Sequence, residues 1–142
     1  MAIKQIDHGS KEYSQMIQLR RLILRHPLGL EFSPEELEKE KNDILIGAFE
    51  EDTMLGCCVL SPQENESFRL RQMAVGSRLQ RKGMGASIIA FAENLARDKG
   101  GKKITMHARN TVIGFYEKFG YKTFGDEFYE VTLPHHIMEK NL

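Results

Sequence analysis

The feature that most constrains this chain of 142 residues is a short basic turn with two glycines, Gln80-Arg81-Lys82-Gly83-Met84-Gly85. Residues 68–75 before the turn (FRLRQMAV) are typical of a strand, and residues 86–99 after it place apolar side chains at helical spacing. The first N–H groups of a helix have no partner inside the helix, and the helix dipole is positive at that end. Glycines let a bulky anion approach the backbone there. The order of elements predicts a phosphate site made mostly of main chain, with a plain tight connection as the alternative.

Periodicity along the rest of the chain predicts an α/β fold with a mixed sheet in one domain, residues 1–142. Ser10 and Ser33 are predicted N-caps of two helices, the first reaching about His26 and the second ending near residue 42. A third helix covers residues 86–99, and a fourth, which Asn110 could cap, covers residues 111–119. The predicted strands cover residues 3–6, 44–49, 55–60, 68–75, 103–108, 121–124 and 132–138. The helix between the strands at 68–75 and 103–108 favours parallel pairing of those two.

Composition excludes several classes of function. Twenty basic and twenty acidic residues cancel, so nothing drives the chain towards nucleic acid or an anionic membrane. No apolar run approaches the ~20 residues of a membrane span, and we expect a cytoplasmic protein. HExxH and CxxC patterns are absent, so we expect no metal. Cys57 and Cys58 are neighbours in an apolar run and are interpreted as buried structural thiols.

Two motifs resemble those of a known family. The turn Gln-x-x-Gly-x-Gly after a strand ending Met-Ala-Val resembles the acyl-CoA-binding signature of the GNAT family of N-acetyltransferases. Downstream, Asn110 and residues 115–121 (FYEKFGY) resemble the family's Asn…Phe-Tyr-x-Lys-x-Gly-Phe segment, with Tyr121 where Phe is commoner. The resemblance covers residues 68–124. It implies a GNAT-like mixed sheet of six or seven strands, splayed between the strand before the turn and the strand after its helix, and flanked by about four helices.

The resemblance implies acetyl-CoA as cosubstrate. Backbone amides of the turn would hold its pyrophosphate, which involves Gln80, Arg81, Lys82, Gly83, Met84, Gly85 and Ala86. Met73, Ala74 and Val75 would pair with the pantetheine arm, and the N–H of Met73 or Ala74 is the candidate oxyanion donor; from the residues alone, these three are ordinary sheet core. Further cofactor-binding candidates are Asn110, Phe115, Tyr116 and Lys118, although Asn110 could equally cap a helix and Lys118 could equally face solvent.

Acetyl transfer to an amine needs a proton donor for the leaving thiolate and an acceptor for the amine proton. The family motif makes Tyr116 the candidate general acid, whereas spacing alone would place it in a helix core. The strand at 68–75 carries no acid, so a glutamate base there is in doubt. Residues 130–138 resemble the tail of one small branch of the family, which favours Glu130 and His135 as further catalytic candidates. Glu127, His107 and a water chain stay open as alternatives.

The predicted function is transfer of an acetyl group from acetyl-CoA to a primary amine, by direct attack in a ternary complex. The acceptor would be a small molecule or a peptide, and the protein a monomer or homodimer. One alternative is an acyl-CoA-binding sensor of the same fold that transfers nothing, and another is a protein that binds nucleotide phosphates. Arg20, Arg21, Arg25 and the acidic residues at 35, 36, 38 and 40 are interpreted as solvated helix faces, although the acids could line an amine's approach.

Overall fold

The computed structural model describes residues 1–79 and 83–142, so Gln80, Arg81 and Lys82 of the predicted phosphate site lie outside the described residues. The described residues form one sheet of seven strands: β1 Ala2–Ile6, β2 Ile44–Glu50, β3 Thr53–Pro62, β4 Ser67–Val75, β5 Lys103–Arg109, β6 Lys122–Glu130 and β7 Leu133–Asn141. The strand order in the sheet is β1-β2-β3-β4-β5-β7-β6. Within it, β4 and β5 pair in parallel and the other neighbours pair antiparallel. The predicted mixed α/β sheet is therefore confirmed.

Among the described residues, four α-helices flank the sheet: α1 Lys11–Arg20, α2 Pro34–Lys39, α3 Met84–Asp98 and α4 Ile113–Glu117. Helix α1 continues as a π-helical turn, Arg21–Arg25, and then as a 3-10 turn, His26–Leu28. Further 3-10 turns cover Glu40–Asn42, Ser77–Leu79 and Asn110–Val112. None of the described helices is long and apolar enough to cross a membrane.

Both predicted serine caps are present. The Ser10 hydroxyl accepts from the backbone N–H of Tyr13 at 3.1 Å, and the Ser33 hydroxyl accepts from that of Glu36 at 3.2 Å. Such caps satisfy first-turn donors that the helix itself cannot satisfy. The Glu36 carboxylate accepts from Arg25 at 3.0 Å, which ties α2 to the end of the π-helical turn.

Strands β4 and β5 pair along only part of their length. The ladder joins Ser67–Leu70 to Lys103–Met106 and stops there, so residues 71–75 and 107–109 diverge. A bulge in β4, where Gln72 has a φ of 55°, lies just beyond the point of divergence. A bulge adds a residue to one strand and increases its twist, which turns this end of β4 away from β5. The splay predicted from the family resemblance is therefore confirmed.

The two faces of the sheet carry separate cores. On one face, α3 and α4 pack on a cluster that includes Ile46, Ile88 and Met106. On the other face, α1 packs through Met16 on a second cluster with Val59. Cys57 and Cys58 are fully buried, one in each cluster, so their prediction as buried thiols is confirmed.

The prediction of a solvated face was wrong for Arg20 and for Glu40. Both side chains are buried and form a two-pronged ion pair, with N···O distances of 2.8 and 2.7 Å. The Tyr13 hydroxyl donates to the same carboxylate at 2.6 Å. Burial of two charges costs several kcal/mol per ion unless they are paired and hydrogen-bonded, as here. This contact anchors α1 to the segment that follows α2.

The C-terminal hairpin is longer than predicted. Strand β6 extends to Glu130, and a two-residue turn at Val131 and Thr132, with φ of 45° and 66°, leads into β7. Most of β6 is exposed, so its sequence lacks the alternation of apolar and polar residues that marks a half-buried strand. Tyr121, at the start of this hairpin, is buried and donates its hydroxyl to Glu93 at 2.9 Å. That bond gives a local reason for Tyr where the family more often has Phe.

Candidate functional site

The diverging ends of β4 and β5 open a cleft of about 500 Å³. From the α3 and α4 face of the sheet, it is lined by Gly85, Phe115 and Tyr116. From the α1 face, the π-helical turn lines the cleft with Leu24 and Arg25. The strands on this face add charged and imidazole side chains: Arg71, His107, Arg109, Glu130 and His135. The cleft thus joins an aromatic half on one face of the sheet to a polar half on the other.

The start of α3 has the geometry that the turn predicts for an anion site. Gly83 takes the N-cap position with a φ of 80°, in the left-handed region that favours glycine. No side chain among the described residues caps this 15-residue helix. A Cβ at Gly83 would meet no atom of the described residues within 4 Å. A helix N-terminus that no described side chain caps is suited to a phosphate group.

Gly85 lies in different surroundings. It is buried, and a Cβ at this position would lie 2.9 Å from Cζ of the Phe115 ring. The missing side chain therefore lets α3 and α4 pack closely beside the cleft. Of the two glycines, Gly83 is the one that no described atom crowds, whereas Gly85 shapes the wall of the cleft.

The β4 residues predicted to hold the cofactor divide between the two sides of the strand. Met73 and Val75 line the cleft, whereas the Ala74 side chain is buried in the α1 core. Met73 and Ala74 lie beyond the end of the β4–β5 ladder, on the edge of β4 that borders the cleft. An extended ligand could therefore add to β4 as a neighbouring strand does.

Tyr116 is placed by α4 at the wall of the cleft. Its side chain is buried, and its hydroxyl has no hydrogen-bond partner among the described residues. Burial, with a smaller contribution from nearby Cys58, raises the pKa of this phenol above its ordinary value. The group is thus a protonated donor at neutral pH, aimed at no protein acceptor that the structure describes.

Glu130 and His107 meet in the polar half of the cleft. His107 Nδ1 lies 3.0 Å from Glu130 Oε1 and 2.9 Å from Arg69 Nη2. This nitrogen can donate to Glu130 when protonated or accept from Arg69 when not, but it cannot do both at once. Burial raises the pKa of Glu130, yet the hydrogen bond and charge of His107, with His135 and Arg69, outweigh it and hold that pKa below its ordinary value. Glu130 is therefore a stable anion beside the imidazole ring of His107.

His135 is buried and lies against the same carboxylate. Its Nδ1 is 2.8 Å from the Leu133 carbonyl, which can only accept, so this nitrogen carries a proton. In the neutral ring, Nε2 then holds a lone pair, 3.8 Å from Glu130 Oε2. The Phe128 ring stacks on the imidazole at 5.7 Å. The structure thus brings Tyr116, Glu130 and His135 to the walls of one cleft.

Several predicted site residues do not line the cleft. The Asn110 side chain donates to Glu127 at 2.6 Å and accepts from His136 at 2.9 Å, and it does not cap a helix as predicted. Lys118 is exposed and follows the last residue of α4. Met84 is buried in the α3 core, and Ala86 is half-buried behind the first turn of α3.

Sequence reasoning missed Arg71 and Arg109 as residues of the site. Arg71 lies two positions after Arg69 in β4, and Arg109 lies two positions after His107 in β5. Residues two apart in a strand face the same side of the sheet. Polar alternation in two strands that are otherwise apolar was the signal that could have found them.

A comparison with known families matches residues 30–142 to the Acetyltransferase (GNAT) domain. The chain belongs to the GNAT family of acetyltransferases. It is 27% identical to the uncharacterized N-acetyltransferase YitI of Bacillus subtilis strain 168, over 85% of each chain. An aminoglycoside 6'-N-acetyltransferase solved with coenzyme A has the same fold, with a TM-score of 0.84, 21% identity, and 99% and 97% of the two chains covered. So does a GNAT family acetyltransferase from Elizabethkingia anophelis solved with acetyl-CoA, with a TM-score of 0.75, 20% identity, and 99% and 97% covered.

Proposed function

We propose that this GNAT protein transfers an acetyl group from acetyl-CoA to a primary amine, by direct attack while both substrates are bound. The observation that carries the proposal is the cleft at the splay of β4 and β5, with an open helix N-terminus and a phenol on one side and a carboxylate–imidazole cluster on the other. Neighbours of the same fold solved with coenzyme A or acetyl-CoA support it.

The residues present fit an acyl-CoA. Backbone N–H groups of residues 83–86 would hold the pyrophosphate, since no atom of the described residues lies within 4 Å of an added Cβ at Gly83. Gln80, Arg81 and Lys82 are assigned to the same group by the motif alone. The main chain at Met73 and Ala74 would pair with the pantetheine arm along the edge of β4 that borders the cleft, and Phe115 would flank it. When bound, the cosubstrate supplies an activated thioester carbonyl.

Two side chains are proposed to handle protons on opposite sides of the cleft. Tyr116 would donate to the leaving sulfur, since its hydroxyl has no acceptor among the described residues to compete for the proton. On the polar side, Glu130 would attract the incoming ammonium group, and Nε2 of His135 would accept its proton. A covalent route through cysteine has no support, because burial raises the pKa of Cys57 to about 12 and that of Cys58 well above its ordinary value.

The test is acetyl-CoA-dependent release of free thiol with a panel of primary amines. We expect release with at least one amine, with initial-rate plots that intersect as both substrate concentrations are varied. Parallel plots would indicate an acyl-enzyme and contradict direct transfer. Binding of acetyl-CoA without thiol release by any amine would instead favour the sensor alternative.

A further inference from the structure

The polar half of the cleft is rich in arginine. Three arginines and one carboxylate are the formally charged residues among its described lining residues. Arg71 extends from β4 and Arg109 from β5, while Arg25 reaches over from the π-helical turn. A cleft with a surplus of one charge sign concentrates ligands of the opposite sign.

Two of these arginines already have carboxylate partners. Arg25 donates to Glu36 at 3.0 Å and stacks over the Phe32 ring at 4.0 Å. Arg71 lies 3.6 Å from Asp43. Their charges are therefore partly neutralised within the protein.

Arg109 has no such partner. Its Nη2 donates to the Leu24 carbonyl at 3.2 Å, and no carboxylate among the described residues lies within ion-pair distance of it. Burial, and then the neighbouring charge of Arg25, lower the pKa of this guanidinium, with Glu130 opposing them. The bond to Leu24 holds the guanidinium at the cleft wall and leaves its other N–H groups for a ligand.

We propose that the amine acceptor also carries an anionic group, a carboxylate or a phosphate, that binds Arg109. Glu130 and His135 would face the amine end of the same molecule. This inference rests on the proposed function and names its acceptor class. A guanidinium presents paired N–H donors that match either anion, and Arg25 and Arg71 add to the positive field. A polycationic acceptor would meet that field unfavourably.

The first experiment compares matched acceptors in the thiol-release assay. An amino acid is set against its carboxamide, a phosphate-bearing amine against the corresponding amino alcohol, and a polyamine is included. We expect kcat/KM for the anionic member of at least one pair to exceed that of its neutral match roughly tenfold or more. The pair that shows the preference identifies carboxylate or phosphate. Preference for the neutral members or the polyamine would overturn the proposal.

A matched variant tests the residue. Arg109→Gln keeps a donor for the Leu24 carbonyl and removes the charge, so we expect the ratio between anionic and neutral acceptors to collapse, mainly through KM. Arg97→Gln, an exposed arginine on α3 outside the cleft, should keep the wild-type ratio. An unchanged ratio in Arg109→Gln, with the fold intact by circular dichroism, would contradict the assignment.

A binding readout separates this proposal from the proposed function. We titrate the preferred anionic amine calorimetrically into protein saturated with CoA. If no amine turns over, we titrate the amino acid and the phosphate-bearing amine instead. Arg109-dependent binding without thiol release would contradict acetyl transfer and support the anion site. Turnover of neutral amines, with no Arg109-dependent binding of anionic ones, would support transfer and overturn the anion site.

Discussion

At the scale of single residues, Tyr116 and Tyr121 form a natural pair. Both are buried tyrosines at one end of the sheet, with ring centroids 6.0 Å apart. The Tyr121 hydroxyl donates to Glu93, whereas that of Tyr116 has no partner among the described residues. The Tyr121 hydroxyl therefore has a structural role, whereas the Tyr116 hydroxyl is available to donate a proton to a substrate.

We predict opposite outcomes for the two Phe variants. Tyr116→Phe should lower kcat about 10²-fold, because the proton donor is lost, with little change in stability or in acetyl-CoA affinity. Tyr121→Phe should cost roughly 1 kcal/mol of unfolding free energy, because Glu93 loses a donor, and should leave kcat close to that of the wild type. Steady-state rates and denaturant unfolding measure both. An unchanged kcat in Tyr116→Phe would show that Tyr116 is only a core residue and not the proton donor.

Much of what the sequence predicts correctly at this scale is local. The caps by Ser10 and Ser33 depend on residues three positions away, so the pattern alone reveals them. The pair of Arg20 and Glu40 joins residues 20 positions apart, and the partners of Asn110 lie on the C-terminal hairpin. Contacts of that kind are set by the tertiary fold, so the spacing of residues within one helix or strand cannot predict them.

At the scale of elements, the turn before α3 is the part that the proposed cofactor site depends on most. Gly83 and Gly125 provide a matched comparison, since both are exposed glycines with φ near 80° and no described atom within 4 Å of an added Cβ. Gly125 lies in β6 and does not line the cleft. An alanine at either position meets the same backbone strain.

We predict that Gly83→Ala and Gly125→Ala each destabilise the fold by about 1 kcal/mol, because alanine disfavours the left-handed conformation. Gly83→Ala should in addition weaken acetyl-CoA binding several-fold, since its methyl group enters the space assigned to the pyrophosphate. Calorimetric titration and thermal unfolding of both variants give the comparison. Equal affinities for acetyl-CoA in the two variants would contradict the assignment of the turn.

Predictability also varies among the elements. Helix α3 and strands β2 to β5 carry apolar residues at clear helical or strand spacing, and their predicted positions agree with the structure to within a few residues. Residues 125–130 are mostly charged or exposed, so β6 is recognisable only through its pairing with β7. The π-helical turn at Arg21–Arg25 has no sequence signature that separates it from α1.

At the scale of the whole molecule, the buried pair of Arg20 and Glu40 links acid stability to the fold. Burial raises the pKa of Glu40, but the hydrogen bond and charge of Arg20, with the Tyr13 hydroxyl, outweigh it and hold that pKa below its ordinary value. A carboxyl group with a depressed pKa in the folded state adds stability above its unfolded pKa and loses it as the pH falls through the folded value.

We predict that the wild type loses this contribution as the pH falls below about 4.5, the ordinary range of a glutamate carboxyl. Glu40→Gln should cost roughly 3 kcal/mol or more at neutral pH, because Arg20 is left as an uncompensated buried charge, and its stability should fall less steeply in acid. Glu38→Gln, which removes an exposed pair with Lys41, serves as the control and should change stability little. Parallel stability curves for the wild type and Glu40→Gln between about pH 3 and pH 7 would contradict this account.

The measurement that tests the central claim most directly is calorimetric titration of the protein with acetyl-CoA, with free CoA and ATP as controls. The account predicts micromolar binding of acetyl-CoA and CoA and no binding of ATP, because ATP lacks the pantetheine arm that would pair with the edge of β4 bordering the cleft. No binding of acetyl-CoA would contradict it, and the glycine turn would then be only a tight connection between a strand and a helix.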